Sequence, residues 1–572
     1  MKSMGRKWAI AVAATLTGSL LATSGLSASG RPSAATPKSG GILEYAIDAT
    51  VSGWCFQQAL SGGPLGVTRM VYESLVDLDQ KGNFIPQLAE SWTPDAANKV
   101  WTFKIRSGIT FSNGEAFNAA VAKTNIDYSR GTNLNYLSTG VGVNSNIIKT
   151  EALDDTTLRI TLDRGDADFI ALMYRAGRYV MRAPAQMASA ATCATNGIGT
   201  GPFKIASYDP SAISLVRNDK YWRKDANGVQ LPYLDGINIT VVKEASQRAA
   251  AVRKGTVDAA FFTVGDATFI KDLRQRKSLV TEYQGSVGQW GQWMPNQNKK
   301  GSPFKFLNCR LAAAFAVDWK AYNKVRFKGL GVYSGSIVGK EHTMFTLDGA
   351  PSYNLKTAQD YVTKCNADLG AAAPFKITLY ADTSSQSLNN VKYVQAQMEK
   401  AGIQFNPIYQ AESAVLIASI YRGGGNLFDF AEGTPAEGPG SGYVIPFFVS
   451  KAFPTGATSE VTKLIIPSVG VSVAAAYNTV IALGNHSDTG VDDRIYAAQA
   501  ETDPAARATK WKAATSYIQS QAIAIPTIHS SMWTFVNKKA KLGGIGTFKA
   551  ANGSLAGMRG TKGFEWTGIW KG

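Results

Sequence analysis

The sequence predicts an α/β protein built from at least three lobes. Three observations carry this. The chain has 572 residues, of which 45% are hydrophobic and 18% charged, a globular composition on a chain too long for one core. Strand-like and helix-like periodicities alternate along much of it, the pattern of α/β units. A block near 80–165 interrupts that alternation with hairpin patterning, so a mostly β lobe is set into the rest.

In chain order, the N-terminus reads MKSMGRKWAIAVAATLTGSLLATSGLSASG. Lys2, Arg6 and Lys7 form a positive region. Trp8 to Leu21 is apolar, of signal-peptide length and short for a membrane span. Cleavage is expected after Ala28, Ser29 or Ala35, so residues 1–35 read as signal peptide and leader. No cysteine lies there to accept a lipid, and the product is expected to be exported without N-terminal lipidation. The apolar stretch Val469–Leu483 is short and broken by Gly470, Ser472 and Asn478, so it is not expected to cross a membrane.

Gly41–Ile47 reads as an opening strand. Val67–Leu78 is apolar at helical spacing. KGNFIPQLAESWTPDAANKVWTFKIRSGITFSNGEAF alternates as hairpins, with turns at Lys81-Gly82-Asn83 and Ser112-Asn113-Gly114. Ala119–Tyr128 reads as helix and Thr156–Leu162 as strand. After Gly201 come ISLVRNDKYW and LPYLDGINITVV, strands and turns. Ala245–Arg253 is a helix stopped by Gly255, and Val257–Phe262 a buried strand. KFLNCRLAAAFAVDWKAYNKV reads as one amphipathic helix. Pro374–Tyr380, Asn390–Ala401 and Ile403–Tyr409 form strand, helix and strand. Pro504–Ser520 is a late helix and Ile523–Val536 a late strand. No internal repeat is present.

Lys and Arg number 59 against 42 Asp and Glu, a formal charge of +17. The basic residues are scattered, with no run of five, which predicts a basic soluble surface and no nucleic-acid partner. The four cysteines, Cys55, Cys193, Cys309 and Cys365, lack metal-site spacing, and an even count in an oxidising compartment predicts two disulfides.

The enzyme readings find no support. The glycine-rich stretch GTGPFKI, residues 199–205, runs into a strand, whereas a phosphate cradle runs into a helix; Pro202 also removes a backbone donor. No G-x-S-x-G elbow is present. The three histidines, His342, His486 and His529, are far apart and show neither HExxH nor H-x₃-H spacing. Carboxylate pairs such as Asp154-Asp155 and Asp492-Asp493 read as solvated loops, so no enzymatic activity and no cofactor is expected. The 12 Trp and 22 Tyr suit a ligand grip, because they supply area with few rotors. Trp290 and Trp293, in GSVGQWGQWMPN, lie outside any core periodicity and are candidates to line a cleft.

Four blocks together resemble the family 5 extracytoplasmic solute-binding proteins of ABC transporters, the oligopeptide, dipeptide and nickel-binding type. The first spans 71–122, with Tyr72/Leu75, Pro86/Leu88/Ala89/Trp92, Phe103/Ile105/Arg106 and Phe111/Gly114 at the family's positions; Ser112 stands where the family usually has histidine. The second joins GTGPFKI, LVRNDKYW, LPYLDGINITVV and AAVRKGTVDAAF. The third is LNCRLAAAFAVDWKAYN and the fourth ETDPAARATKWKAATSYIQSQAIAIPTIH.

The resemblance implies a type II periplasmic-binding-protein fold with two ligand-enclosing α/β lobes and an inserted third lobe. The expected division is lobe I at 41–68, 195–283 and 520–572, lobe II at 69–194, and lobe III at 284–519. It implies capture of a small solute, a peptide first, by closure of the cleft, then docking of a monomer to a membrane permease. An oligosaccharide or a metal chelate is the alternative solute, and a secreted hydrolase the weaker alternative function. Gly199, Thr200 and Gly201 are expected at a hinge near the cleft.

Site residues carry over as follows. The strand Phe428-Asp429-Phe430-Ala431 matches the family's, Gly433 matches its glycine, Thr434 replaces its tryptophan, and Glu437 falls at the aspartate that grips a peptide's α-amine. The first cleft segment, ATVSGWCFQQALSGG, offers Trp54, Gln57 and Gln58 for an uncharged hydrogen-bonding ligand. Arg422 is a candidate for reading a chelate. Lobe membership pairs Cys55 with Cys193 and Cys309 with Cys365.

Overall fold

A computed structural model describes residues 36–51, 53–54, 62–79, 81–130, 146–174, 177, 179–189, 193–285, 289–370, 374–383, 385–410, 430–436, 448–450, 465–466, 471–472, 486–548, 556–558 and 564–572. Gln57, Gln58, Cys55, Arg422 and Glu437 lie outside them.

Three sheets organise the molecule. The largest has seven strands, in the order Val280–Gln284, Met532–Asn537, Ala259–Thr263, Ile42–Ile47, Gly236–Val241, Ala212–Arg217 and Phe203–Asp209. Ile42–Ile47 runs parallel to both of its neighbours, and the other pairs are antiparallel. Along its central strands side chains alternate between two cores. Leu43, Tyr45, Ile47 and Phe261 enter one, while Ala46, Phe262, Trp533 and Phe535 enter the other, the two-residue period of a sheet covered on both faces.

The second sheet has five strands, Gln404–Gln410, Lys376–Asp382, Phe430–Ala436, Trp290–Pro295 and Ile525–Pro526. It too is flanked by two cores, one holding Trp293, Ile377 and Leu379, the other Trp290, Met294 and Trp511. The third sheet is antiparallel, in the order Ala89–Pro94, Val100–Ile105, Thr157–Leu162 and Ile147–Asp154, with the helix Ala119–Arg130 against it and a separate core.

Three elements differ from the sequence expectation, each for a physical reason. The helix expected over Val67–Leu78 spans Gly62–Val71, and Val76–Leu78 is a strand. The helix stops where Glu73 turns inward to a set of buried donors. The single helix expected over 305–325 is two, Leu307–Ala316 and Trp319–Arg326. Asp318 sits at the break and caps the second helix by accepting from the Ala321 N–H, which is what a short carboxylate does best at a helix start. The late strand over Ile523–Val536 is also two, Ile525–Pro526 and Met532–Asn537, and they belong to different sheets.

Cys309 and Cys365 form a disulfide between the helices Leu307–Ala316 and Leu355–Leu369, with Cα atoms 4.7 Å apart. Both are fully buried in the core beside the five-stranded sheet. Cys193 is disulfide-bonded as well.

Candidate functional site

The seven-stranded and five-stranded sheets are joined by two passages of chain. One leaves Val280–Gln284 and enters Trp290–Pro295; the other leaves Ile525–Pro526 and enters Met532–Asn537. The passages pair with each other. Gln289 and Ser530 exchange backbone hydrogen bonds at 3.3 and 2.8 Å, Gly285 N–H donates to the Met532 carbonyl at 2.9 Å, and Ser530 Oγ bonds Gln289 Oε1 at 3.1 Å. The result is a two-stranded ribbon between two separately cored bodies.

Just beyond the ribbon, Trp290 opens its strand opposite Ala436, and Gln292 pairs with Gly433. Phe430–Ala436 therefore ends beside the ribbon. That places Gly433 in the central strand of the five-stranded sheet, three residues from the end nearest the crossing.

The three candidate tryptophans are buried and are not brought together. Trp290 packs edge-on against His342 with ring centres 4.6 Å apart. Trp293 points to the opposite core and packs edge-on against Trp319 at 5.0 Å. Trp54 belongs to the core of the seven-stranded sheet, with Tyr72 and Tyr208 rings 6.3 and 5.9 Å away. Its carbonyl accepts from Tyr72 OH and from Gln186 Nε2 at 3.1 and 2.8 Å. The indole N–H groups of Trp54 and Trp290 find no hydrogen-bond partner among the described residues.

His529 lies in the second passage. Its Nε2 bonds Ser334 Oγ at 2.6 Å, and that hydroxyl is engaged with the Ser336 and Val338 carbonyls too. Burial lowers the His529 pKa to about 4, so the ring stays neutral and serves to hold the passage against the 334–338 loop.

Gly199, Thr200 and Gly201 lie elsewhere, where the chain returns from the four-stranded sheet to Phe203–Asp209. Here the backbones touch. Gly201 N–H donates to the Val71 carbonyl at 2.9 Å, Ser112 N–H donates to the Gly199 carbonyl at 2.9 Å, and Asn218 Nδ2 donates to the Gly201 carbonyl at 2.8 Å. A Cβ on Gly199 would sit on the Val71 carbonyl oxygen, and one on Gly201 would come within 2.6 Å of the Val71 carbonyl carbon. Both obstacles are main chain, so neither can swing aside. Gly199→Ala should therefore cost about 1–3 kcal/mol, the range for overpacking, read as a lower midpoint in denaturant. An unchanged midpoint would contradict the close approach of Gly199 to Val71.

At this joint stands a carboxylate that none of the motifs marks. Glu73 is 2% exposed. Its Oε2 accepts from Trp222 Nε1 at 2.7 Å and Thr200 Oγ1 at 3.1 Å. Its Oε1 accepts from Tyr221 OH at 3.1 Å and Gln87 Nε2 at 3.3 Å. Arg223 Nη2 approaches at 3.4 Å as a charge contact rather than an aligned hydrogen bond. One side chain thus gathers GTGPF, KYW and PQLA, three of the motifs that carry the resemblance. The only sequence signal was a charge inside the apolar run VYESLV.

Among the described residues no helix is long and apolar enough to cross a membrane. The chain is 25% identical over 467 residues to a glutathione-binding protein of Escherichia coli, covering 81% of this chain and 84% of that protein. It is 27% identical over 388 residues to the nickel-binding periplasmic protein of E. coli, covering 64% and 71%. Among solved structures it resembles a periplasmic binding protein from A. tumefaciens in complex with agropinic acid, with a TM-score of 0.73, 20% identity and coverage of 93% and 99%. It also resembles a dipeptide-binding protein from Pseudoalteromonas in complex with Met-Leu, with a TM-score of 0.72, 18% identity and coverage of 93% and 100%. These structures share the type II periplasmic-binding fold with an extra domain. The match of residues 83–452 to the model of the bacterial extracellular solute-binding proteins, family 5, establishes that the chain belongs to that family.

Proposed function

We propose that this protein is the exported receptor of an ABC importer, that it takes up a peptide-like solute between the bodies built on the seven-stranded and five-stranded sheets, and that it presents the closed complex, as a monomer, to a membrane permease. The observation that carries this is the pairing of Gly285 with Met532 and of Gln289 with Ser530: two large bodies with their own cores, joined by two paired passages, are the architecture of hinge closure. In this reading the hinge is the ribbon. Gly199, Thr200 and Gly201, packed against Val71, form a fixed joint to the inserted lobe, and the border of lobe I moves from 520 to about 530, since Ile525–Pro526 pairs in the other sheet.

The end of Phe430–Ala436 beside the ribbon supports placing Glu437 at the cleft, where it would grip a peptide ammonium. Trp54, Trp290 and Trp293 then act by shaping the walls from behind, and Gln57, Gln58 and Arg422 remain proposed contacts. We assign Cys55 as the partner of Cys193. A fully buried disulfide supports an oxidising compartment outside the cytoplasm.

The solute class rests on the relatives named for glutathione and dipeptide; the nickel-binding relative favours a chelated metal as the second reading. A thermal-shift screen of the mature protein against di- to pentapeptides, oligosaccharides and metal–histidine chelates decides between them. A peptide at a hundred times its Kd should stabilise the folded state by about 2.7 kcal/mol. A midpoint raised by chelates alone, or by sugars alone, would refute the peptide reading.

A further inference from the structure

The loop 163–168, which follows the interior strand Thr157–Leu162 of the four-stranded sheet, reaches across to the helices Thr489–Ala500 and Pro504–Ser520, which pack on the five-stranded sheet. Polar and cationic contacts join them. Gln499 Nε2 donates to Asp166 Oδ2 at 2.9 Å, and Ala167 N–H donates to the Gln499 carbonyl at 3.0 Å. Trp511 Nε1 donates to Asp168 Oδ2 at 2.9 Å, and Arg507 Nε lies 3.6 Å from Asp168 Oδ1. The Arg164 guanidinium stands over the Tyr496 ring at 4.6 Å. Among the described residues no hydrophobic cluster spans this boundary: the residues on either side belong to different cores. A polar contact between separately cored bodies can part without exposing a core.

We propose that Asp166, Asp168, Gln499, Arg507 and Trp511 form a proton-dependent latch that closes the inserted lobe onto the helix pair and biases the protein toward its closed state. This rests on the hinge-closure reading above. The four-stranded sheet is tied to the seven-stranded one through Glu73, whereas the helix pair moves with the five-stranded sheet. Opening the ribbon must therefore pull Asp166 from Gln499 and Asp168 from Trp511.

Asp166 is completely buried. Beyond Gln499 it has Asn146 Nδ2 at 3.5 Å and the Asp168 N–H at 3.0 Å. The carboxamide oxygens of both Asn146 and Gln499 lack a hydrogen-bond partner among the described residues. A proton on Asp166 adds one donor to this site, which one of the two carboxamide oxygens accepts if the Asn146 amide turns over while Gln499 keeps its bond. Burial, and then the charge of Asp168, raise its pKa to about 7, against the pull of Arg164 and Gln499. The other charged groups on the facing elements are Asp163 on the same loop, which feels Lys99, Arg507, which lies beside Asp168, and the Lys510–Glu501 pair on the helix side.

The sign follows from linkage. In the open form solvent reaches Asp166 and its pKa falls back toward an ordinary carboxylate, so the closed form holds the extra proton. The latch is fully favourable below the open-form pKa and is lost as pH rises through about 7. Between pH 5 and pH 8 the closed-to-open ratio should fall by up to roughly a hundredfold.

Small-angle X-ray scattering on the ligand-free mature protein reads this as the radius of gyration. The wild type should expand between pH 5 and pH 8. Asp166→Asn, which mimics the protonated acid, should stay compact at both. Gln499→Leu should be expanded at both, with circular dichroism confirming that each variant is folded. If the wild type keeps one radius and both variants share it, the latch is refuted. Glutathione and Met-Leu, titrated in the same cell, separate this from a failure of hinge closure. Compaction by either solute without any pH or variant effect leaves closure standing and sinks the latch. A radius that responds to neither solute, pH nor variant contradicts both.

Discussion

Glu73→Ala should lower the unfolding free energy by about 3–5 kcal/mol, the cost of breaking a buried ion pair from one side. The carboxylate satisfies Trp222 Nε1, Thr200 Oγ1, Tyr221 OH and Gln87 Nε2 at once, and stands 3.4 Å from the buried Arg223. Deleting it strands four donors and leaves a guanidinium against the Trp222 ring, 4.8 Å from its centre, without its nearest counter-charge. Glu73→Gln should lose less, because its carbonyl keeps one acceptor while its amide meets donors. The readout is urea unfolding followed by circular dichroism and by the summed fluorescence of the 12 tryptophans. If the inserted lobe loosens first, the transition should split in two. Equal midpoints for wild type and Glu73→Ala would mean that the joint is held by packing alone.

Cys309→Ala together with Cys365→Ala should cost about 4 kcal/mol. The bridge closes a loop with a sequence separation of 56, and cross-linking a loop of that length removes about this much freedom from the unfolded chain. The two helices it joins also make the most extensive helix–helix contact of the structure's described part, so the reduced protein should still fold, with a lower midpoint. Guanidinium unfolding of the double variant measures it. A loss below about 1 kcal/mol would show that helix packing, rather than the cross-link, sets stability here.

Much of the fold was legible because its signals are local. GILEYAI, the strand–helix–strand of 376–410 and the helix Pro504–Ser520 follow periodicity alone. What periodicity could not show is where the chain changes body. Ile523–Val536 reads as one apolar strand, yet Pro526 ends pairing in one sheet and Met532 begins it in the other. The apolar rhythm from Val67 to Leu78 likewise hides Glu73, whose partners come from 14 to 149 residues away. The same limit applies to the tryptophans. A Gly-rich surrounding suggested that Trp290 and Trp293 face a cleft, but Gly291 serves backbone approach: a Cβ there would meet Thr527 Oγ1 and the Ile528 carbonyl. The indoles fill cores on opposite faces of one strand.

The central claim is reversible capture of a small solute. Isothermal titration of the mature protein with the peptide that most raises its melting midpoint, followed by mass spectrometry of the recovered solute, tests it most directly. One molecule should bind per chain, with the negative heat-capacity change of buried apolar surface, and should be recovered intact. Cleaved or altered solute, or heat that does not saturate at one equivalent, would contradict the account.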